Sequence, residues 1–163
     1  MSSSLETIRL LFRYNYWAWA RVWECVSALS EEEFTRQLPF AWNSVHEQVV
    51  HVMGGESVWI YRMQGGTPEN LFYVKDYPTR ADVRQRWDAI EANAFAFLDA
   101  LTQEQLDGDF TYQNTKGEQY TNSHHNILLH VVNHSTDHRA QILAMMHFMG
   151  ARTVEQDMIH FAW

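Results

Sequence analysis

From Ser123 to Met149 the chain runs without a glycine or a proline, and its apolar residues return at helical intervals. Ile127, Val131 and Met145 lie on one row, flanked by Leu128, Val132, Ile142 and Met146. That period is the mark of an amphipathic helix. Gly150 follows at the position where a helix is closed by a left-handed residue. A helix of this length spans about 40 Å, and the rest of the chain reads as the scaffold around it.

The remaining sequence supplies three partners of similar length. A first helix is expected over 5–29, with Ser4 as its N-cap and Ile8, Leu11, Phe12, Trp19, Val22, Val26 and Leu29 as its core stripe. Asn15 falls on that stripe, either as a satisfied buried amide or as a group lining a cavity. Residues 30–43 read as a connection with a short turn near Ser30 to Phe34. A second helix opens at Ser44-Val45-His46-Glu47, a capping-box pattern, and runs to about Gln64, where Gly65-Gly66-Thr67-Pro68 ends it. Residues 67–78 read as a loop. A third helix starts at Thr79, with Asp82 in the N3 position, and continues to Leu101 along Val83, Trp87, Ile90, Ala94, Phe97 and Leu98. Phe110-Thr111-Tyr112 and Glu118-Gln119-Tyr120-Thr121, separated by Asn114-Thr115-Lys116-Gly117, predict a small β-hairpin before the last helix. The expected fold is all-α: one domain over 1–163, a four-helix bundle with long connections and a small hairpin between the third and fourth helices.

Composition narrows the function classes. The net charge of -8 and the scattered basic residues oppose nucleic-acid binding, which needs a basic patch. No uncharged apolar run approaches the ~18 residues of a membrane span. The segment after Met1 is polar and then interrupted by Arg9, Arg13 and Asn15, unlike a secretory signal. Cys25 is the only cysteine, so no intrachain disulfide can form, and a cytoplasmic protein is expected. Cys25 lies on the core stripe, where a free cysteine is ordinarily a small hydrophobe.

Nine histidines are many for 163 residues, and most crowd the last helix. His134 and His138 are four apart, so their rings share one helix face with Cβ atoms roughly 5–6 Å apart. Two readings stand: a pair on a polar face, or two imidazoles holding one ion between them. A third ligand would then come from another helix, and His51 is the candidate. Gly54 and Gly55 follow it in the same helix, where each glycine costs up to about 1 kcal/mol relative to alanine. They make room either for a closely packed neighbour or for an open coordination position. His130 continues the line one turn earlier. The rise of about 6 Å over four residues sets it apart from the ligand pair, as a residue that supports the ligands or lines a cavity, or as a plain core-edge histidine. His46-Glu47-Gln48-Val49-Val50-His51 resembles the metalloprotease H-E-x-x-H but has one residue too many. At that spacing the two rings point about 140° apart, and they cannot chelate as that motif does. His124, His125, His147 and His160 have no partner at useful spacing and read as surface or structural residues.

Taken together, the sequence resembles the DinB family, damage-inducible four-helix metal proteins that include YfiT-like members. The resemblance rests on Phe12-Arg13-Tyr14-Asn15-Tyr16-Trp17; on Ser44-Val45 followed by His51 and Glu56-Ser57-Val58-Trp59; on the run from His130 to Ile142; on Gly150; and on Asp157-Met158-Ile159-His160-Phe161. It departs at Ala140, where the family often has glycine. The resemblance implies a four-helix bundle, commonly a homodimer. It implies one divalent ion held by a histidine of the second helix and two of the last, which map to His51, His134 and His138. Zn²⁺ or Ni²⁺ leads the expectation, with Fe²⁺ or Cu²⁺ also suited to three imidazoles.

It further implies thiol chemistry. Relatives include S-transferases and isomerases that use low-molecular-weight thiols such as bacillithiol or mycothiol. The leading expectation is therefore a metal-dependent thiol S-transferase acting on a small-molecule electrophile. The alternatives are a non-enzymatic metal-binding or stress-response protein and a metal-dependent hydrolase. Asn15, Glu56, Trp59, His130 and Arg139 are the pocket candidates. Glu56 is the one general base on offer, and Arg139 would hold a carboxylate of the thiol or form a surface salt bridge. No catalytic residue is assigned. The first helix carries Phe12, Tyr14, Tyr16, Trp17, Trp19 and Trp23 around its circumference. These rings must meet other helices, the C-terminal tail with Phe161 and Trp163, or a second subunit.

Overall fold

The computed structural model describes residues 4–66, 72–114 and 116–161. Four long helices carry the fold: α1 (Ser4–Ser27), α3 (Val45–Met63), α4 (Arg80–Ala100) and α6 (His124–Phe148). Two one-turn helices, α2 (Glu31–Thr35) and α5 (Gln103–Asp107), sit in the connections. A hairpin of β1 (Asp109–Gln113) and β2 (Gln119–Ser123) precedes α6, with Tyr112 opposite Tyr120 and Thr111 opposite Thr121. The all-α bundle and its hairpin are thus as the sequence predicts.

Local chemistry explains where each helix begins. Thr79 and Asp82 form a reciprocal capping box at α4. Ser123 caps α6 by accepting from the Asn126 amide. Ser44 caps α3 by accepting from the Glu47 amide at 3.1 Å, but the expected return bond is missing. The Glu47 carboxylate turns instead to the amide and side chain of Asn43 and to Gln37, tying the loop before the helix. Two further capping boxes start the one-turn helices: Ser30 with Glu33 and Thr102 with Gln105. The first develops the expected short turn into a helix; the second helix was not anticipated. Gly150, at φ +76, closes α6 in the left-handed region that glycine enters without steric cost.

Contacts at the helix ends fix their directions. Arg9, near the start of α1, donates to the carbonyls of Leu98, Asp99 and Leu101 at the end of α4. At the opposite end Arg80 donates to the carbonyls of Val26, Ser27 and Leu29. α1 and α4 are therefore antiparallel. α3 and α6 are antiparallel too, since His51 meets His138 while Trp59 meets His130. α3 and α4 run together: His46 reaches Tyr77 just before α4, and Gln64 reaches Asn93 near its end. The four long helices accordingly run up, down, down, up, which requires the long connections seen in the sequence.

The core is aromatic as well as aliphatic. Trp19 packs on Trp87 with ring centroids 4.3 Å apart, and Phe12, Phe34, Ile60, Leu98, Leu128 and Met145 are fully enclosed. The rings of α1 find partners within the chain. Tyr16 meets Phe95, Trp23 lies beneath the Arg84 guanidinium, and Tyr14 and Trp17 both contact Phe161 of the tail. Trp163 lies outside the described residues. Among them, no helix is long and apolar enough to cross a membrane.

Candidate metal centre

α6 presents His134 and His138 on one face because they are one helical turn apart, and α3 brings His51 against them. The Nε2 atoms of His134 and His138 are 3.0 Å apart. One ligating nitrogen from each of the three rings lies within 4.8 Å of the others. The bonds of about 2.0–2.1 Å typical of a tetrahedral Zn²⁺ site place neighbouring nitrogens roughly 3.3 Å apart. Three imidazoles converging at this spacing, with no carboxylate among them, can hold one divalent ion.

The chemistry of the rings agrees with that geometry. Burial, together with neighbouring imidazoles, pushes His51 and His134 down to about 4, and burial also lowers His138. All three are therefore neutral at pH 7, the form that binds metal. Nδ1 of His138 is buried and has no hydrogen-bond partner among the described residues. The two glycines of α3 have separate reasons. A Cβ on Gly54 would lie 2.7 Å from the Phe72 side chain, so close packing demands glycine there. A Cβ on Gly55 would lie 3.1 Å from Cε1 of His134, so this glycine makes room for a candidate ligand.

Two aromatic walls flank the triad. On one side Trp42 stacks on His51 at 4.0 Å, and a cleft of about 180 Å³ opens between Trp42, Glu47, Val50, His51, Phe72, Tyr73 and Val74. On the other side His130 lies 5.6 Å from His134, Trp59 stands edge-on to His130, and Tyr112 of the hairpin stands edge-on to Trp59. A larger hollow of about 490 Å³ sits between the ends of α3 and α4, but His124 is the one histidine lining it. Volume alone therefore does not locate the chemistry.

Of the pocket candidates, Trp59 and His130 approach the triad, and Asn15, Glu56 and Arg139 do not join it. Arg139 is fully buried, which corrects the surface salt bridge considered from sequence. Its guanidinium donates to Asn15, Ser135, Thr136 and Gln156 and lies over the rings of Tyr14 and Trp19. Asn15 accepts through Oδ1 while its Nδ2 has no partner among the described residues. Glu56 is buried and accepts from the Tyr16 hydroxyl, with Oε2 unpartnered among the described residues. Burial, with a smaller contribution from Glu91, pushes this carboxyl up to about 7 against the opposing Tyr16 hydrogen bond and the Arg139 charge.

Other residues take structural places. His46 is buried, stacks on Phe34 and contacts the Tyr77 carbonyl at 2.7 Å, so it does not chelate with His51. Cys25 is buried in the core. Trp42, Arg62 and Tyr112 escaped sequence reasoning: Trp42 stacks on His51 from a loop, while Arg62 and Tyr112 reach Trp59 from the helix end and the hairpin. Ser135 was more accessible: it is four residues before Arg139, hence on the same helix face.

The family model described as DinB family matches residues 1–163. This chain belongs to the DinB family. Among curated relatives it is similar to Protein DinB of Bacillus subtilis (strain 168), 24% identical over 152 residues, covering 90% of this chain and 88% of that protein. The fold is shared with a conserved protein from Enterococcus faecalis at TM-score 0.69 and 14% identity, covering 87% of this chain and 96% of the other. A DinB-like protein from Bacillus subtilis matches at TM-score 0.63 and 16% identity, covering 89% and 94%. Within the DinB fold, the interface of α3 and α6 is where this chain gathers its three imidazoles.

Proposed function

We propose that this DinB-family chain binds one divalent cation through His51, His134 and His138 and acts as a metal-dependent thiol S-transferase with a low-molecular-weight thiol. The observation that carries the reading is the convergence of three neutral imidazoles from two helices beside an aromatic cleft. Zn²⁺ and Ni²⁺ are the leading candidates, and imidazole donors suit Fe²⁺ or Cu²⁺ as well. A bound divalent ion would supply the lowered thiol pKa that makes a thiolate available at neutral pH. The chain's own part is to hold three ligands neutral and leave one face accessible. No protein nucleophile is needed, in keeping with a Cys25 enclosed in the core.

A second reading is a non-enzymatic metal-binding or stress protein whose ion ties α3 to α6. It is favoured by the distribution of the ligands, one on α3 and two on α6. Metal analysis of untagged protein tests the site: one equivalent of metal is expected in the native chain and loss of it on His→Ala change at the three positions. Retention of a full equivalent by all three variants would falsify the assignment. Substitution of Co²⁺ followed by thiol titration separates the two readings. New thiolate-to-cobalt absorption supports the transferase, and no response to any small thiol supports the structural ion.

A homodimer and a cytoplasmic setting belong to the same proposal. Phe148 and Ile159 remain 63% and 78% exposed, and such apolar residues suit an isologous two-fold contact. Light scattering at low micromolar concentration should give twice 19.2 kDa, and a clean monomer mass would sink the dimer.

A further inference from the structure

α3 and α6 meet along a ladder of facing residues. Gln48 donates through Nε2 to Oε1 of Gln141 at 2.8 Å, His51 meets His138, Gly55 faces His134, and Trp59 meets His130. Steps of three, four and four residues along α3 are matched by the same steps back along α6, so the four pairs stand on one seam. The glutamine rung lies three residues from the His51–His138 rung, a rise of about 4.5 Å.

Gln48 is fully buried, and its Oε1 has no partner among the described residues. One rung away, Nδ1 of His138 is buried and equally without a partner among them. A buried polar atom left unsatisfied costs about 1–3 kcal/mol. Two such atoms in adjacent rungs of one seam call for a common explanation.

The polarity of the glutamine pair is fixed from outside the seam. Nε2 of Gln141 donates to Oδ2 of Asp137 at 3.0 Å. An ionised carboxylate only accepts, so Gln141 turns its nitrogen to Asp137 and its oxygen to Gln48. Gln48 must then donate through Nε2, and the atom left over is an acceptor. The Gln141 side chain leans back over the turn that carries His138, as helical side chains do, and this brings the amide pair beside that ring. An acceptor there matches an imidazole with its proton on Nδ1. That tautomer leaves the lone pair on Nε2, the atom of His138 that faces His134 at 3.0 Å. In metal sites the second nitrogen of a ligating histidine ordinarily donates to such an acceptor, which fixes both ring and tautomer.

We propose that Gln48 is the positioning residue of His138: its Oε1 accepts from Nδ1–H, directly or through one buried water, and so keeps Nε2 free for the ion. Gln141 and Asp137 set the direction of this chain of hydrogen bonds. The inference rests on the reading of His51, His134 and His138 as metal ligands and adds to it the group that orients one of them.

Nuclear magnetic resonance of protein with ¹⁵N-labelled histidine rings tests it, with the His138 signals assigned by their loss in His138→Ala. In the metal-free native chain at neutral pH, His138 should carry its proton on Nδ1, and Gln48→Leu should move that proton to Nε2. Zn²⁺ affinity, read by competition with a chelating dye, should fall about 10–100-fold in Gln48→Leu, as loss of support for a ligand does. Gln141→Leu breaks the same bond between the helices but leaves Oε1 of Gln48 in place, so its loss should be far smaller. Equal losses in the two variants would reduce the pair to a tie between helices and overturn the proposal. A His138 proton on Nε2 in the native chain would overturn it as well, and that measurement stands even if Gln48→Leu does not fold. If the native chain binds no Zn²⁺, the metal reading fails and the tautomer decides Gln48 by itself. An Nδ1–H signal lost in Gln48→Leu sustains the assignment, and one that survives the change ends it.

Discussion

α6 carries two groups of polar side chains on different faces, and the protein treats them in opposite ways. Toward α3, His134 and His138 meet each other at 4.3 Å and His51, which Trp42 covers on its other face. Toward α1, Ser135 and Arg139 enter the core and are tied to Trp19, Asn15 and Gln156. The first group leaves nitrogen lone pairs for something from outside. The second spends almost every donor inside the chain. Buried polar atoms cost free energy unless they are paired, so a cluster that its own chain does not satisfy marks binding. A cluster that the chain closes marks folding.

That contrast is broken most sharply by His134→Ala combined with His138→Ala. Binding free energies of about 10–16 kcal/mol for four-ligand zinc sites imply roughly 3 kcal/mol per ligand. Metal affinity should therefore fall by about four orders of magnitude, while the unfolding free energy of the metal-free chain changes by less than about 1 kcal/mol. Calorimetric metal titration and urea denaturation read the two quantities. Arg139→Ala should do the reverse, destabilising the metal-free chain by about 3–5 kcal/mol because buried partners are left unpaired. A native-like urea midpoint in that variant would mean that the closed network contributes nothing to folding.

Glu56 sharpens the comparison through pH. Its carboxyl titrates near 7 in the folded chain, against an ordinary value of 4.5. The folded state thus binds the proton more tightly, and stability falls as pH rises through the window from 4.5 to 7. The loss is on the order of 3 kcal/mol for a fully buried group. Glu56→Gln removes the titration, so its stability relative to the native chain should climb between pH 5 and pH 8. Parallel melting curves across that range would show a constant gap if Glu56 carried no such coupling. The smallest expected effect belongs to Gly55→Ala. The new methyl group crowds His134 and should weaken metal binding about tenfold, as loss of support for a ligand does. The same change favours the helix by about 0.5–1 kcal/mol. A variant that is more stable yet binds metal less well is the expected outcome; unchanged affinity would remove Gly55 from the site.

What the sequence determined by itself is the set of features that act within a turn or two of chain. Apolar period, capping residues and Gly150 fixed the four long helices almost to the residue, because hydrogen bonds from residue i to i+4 make helix ends a local matter. The same locality made His134 and His138 readable as one pair. The one-turn helix at 103–107 was missed although Thr102 and Gln105 wrote its cap, because no apolar run followed to announce it. The tertiary structure alone decided how each helix is rotated about its axis, and with it which polar residues turn inward. Arg139 turned into the core against Asn15, and Glu56 found Tyr16. Arg62 came to lie against the hairpin through Tyr112. These meetings join residues far apart in sequence, and they follow from the packing of whole helix faces, to which no short stretch of chain has access.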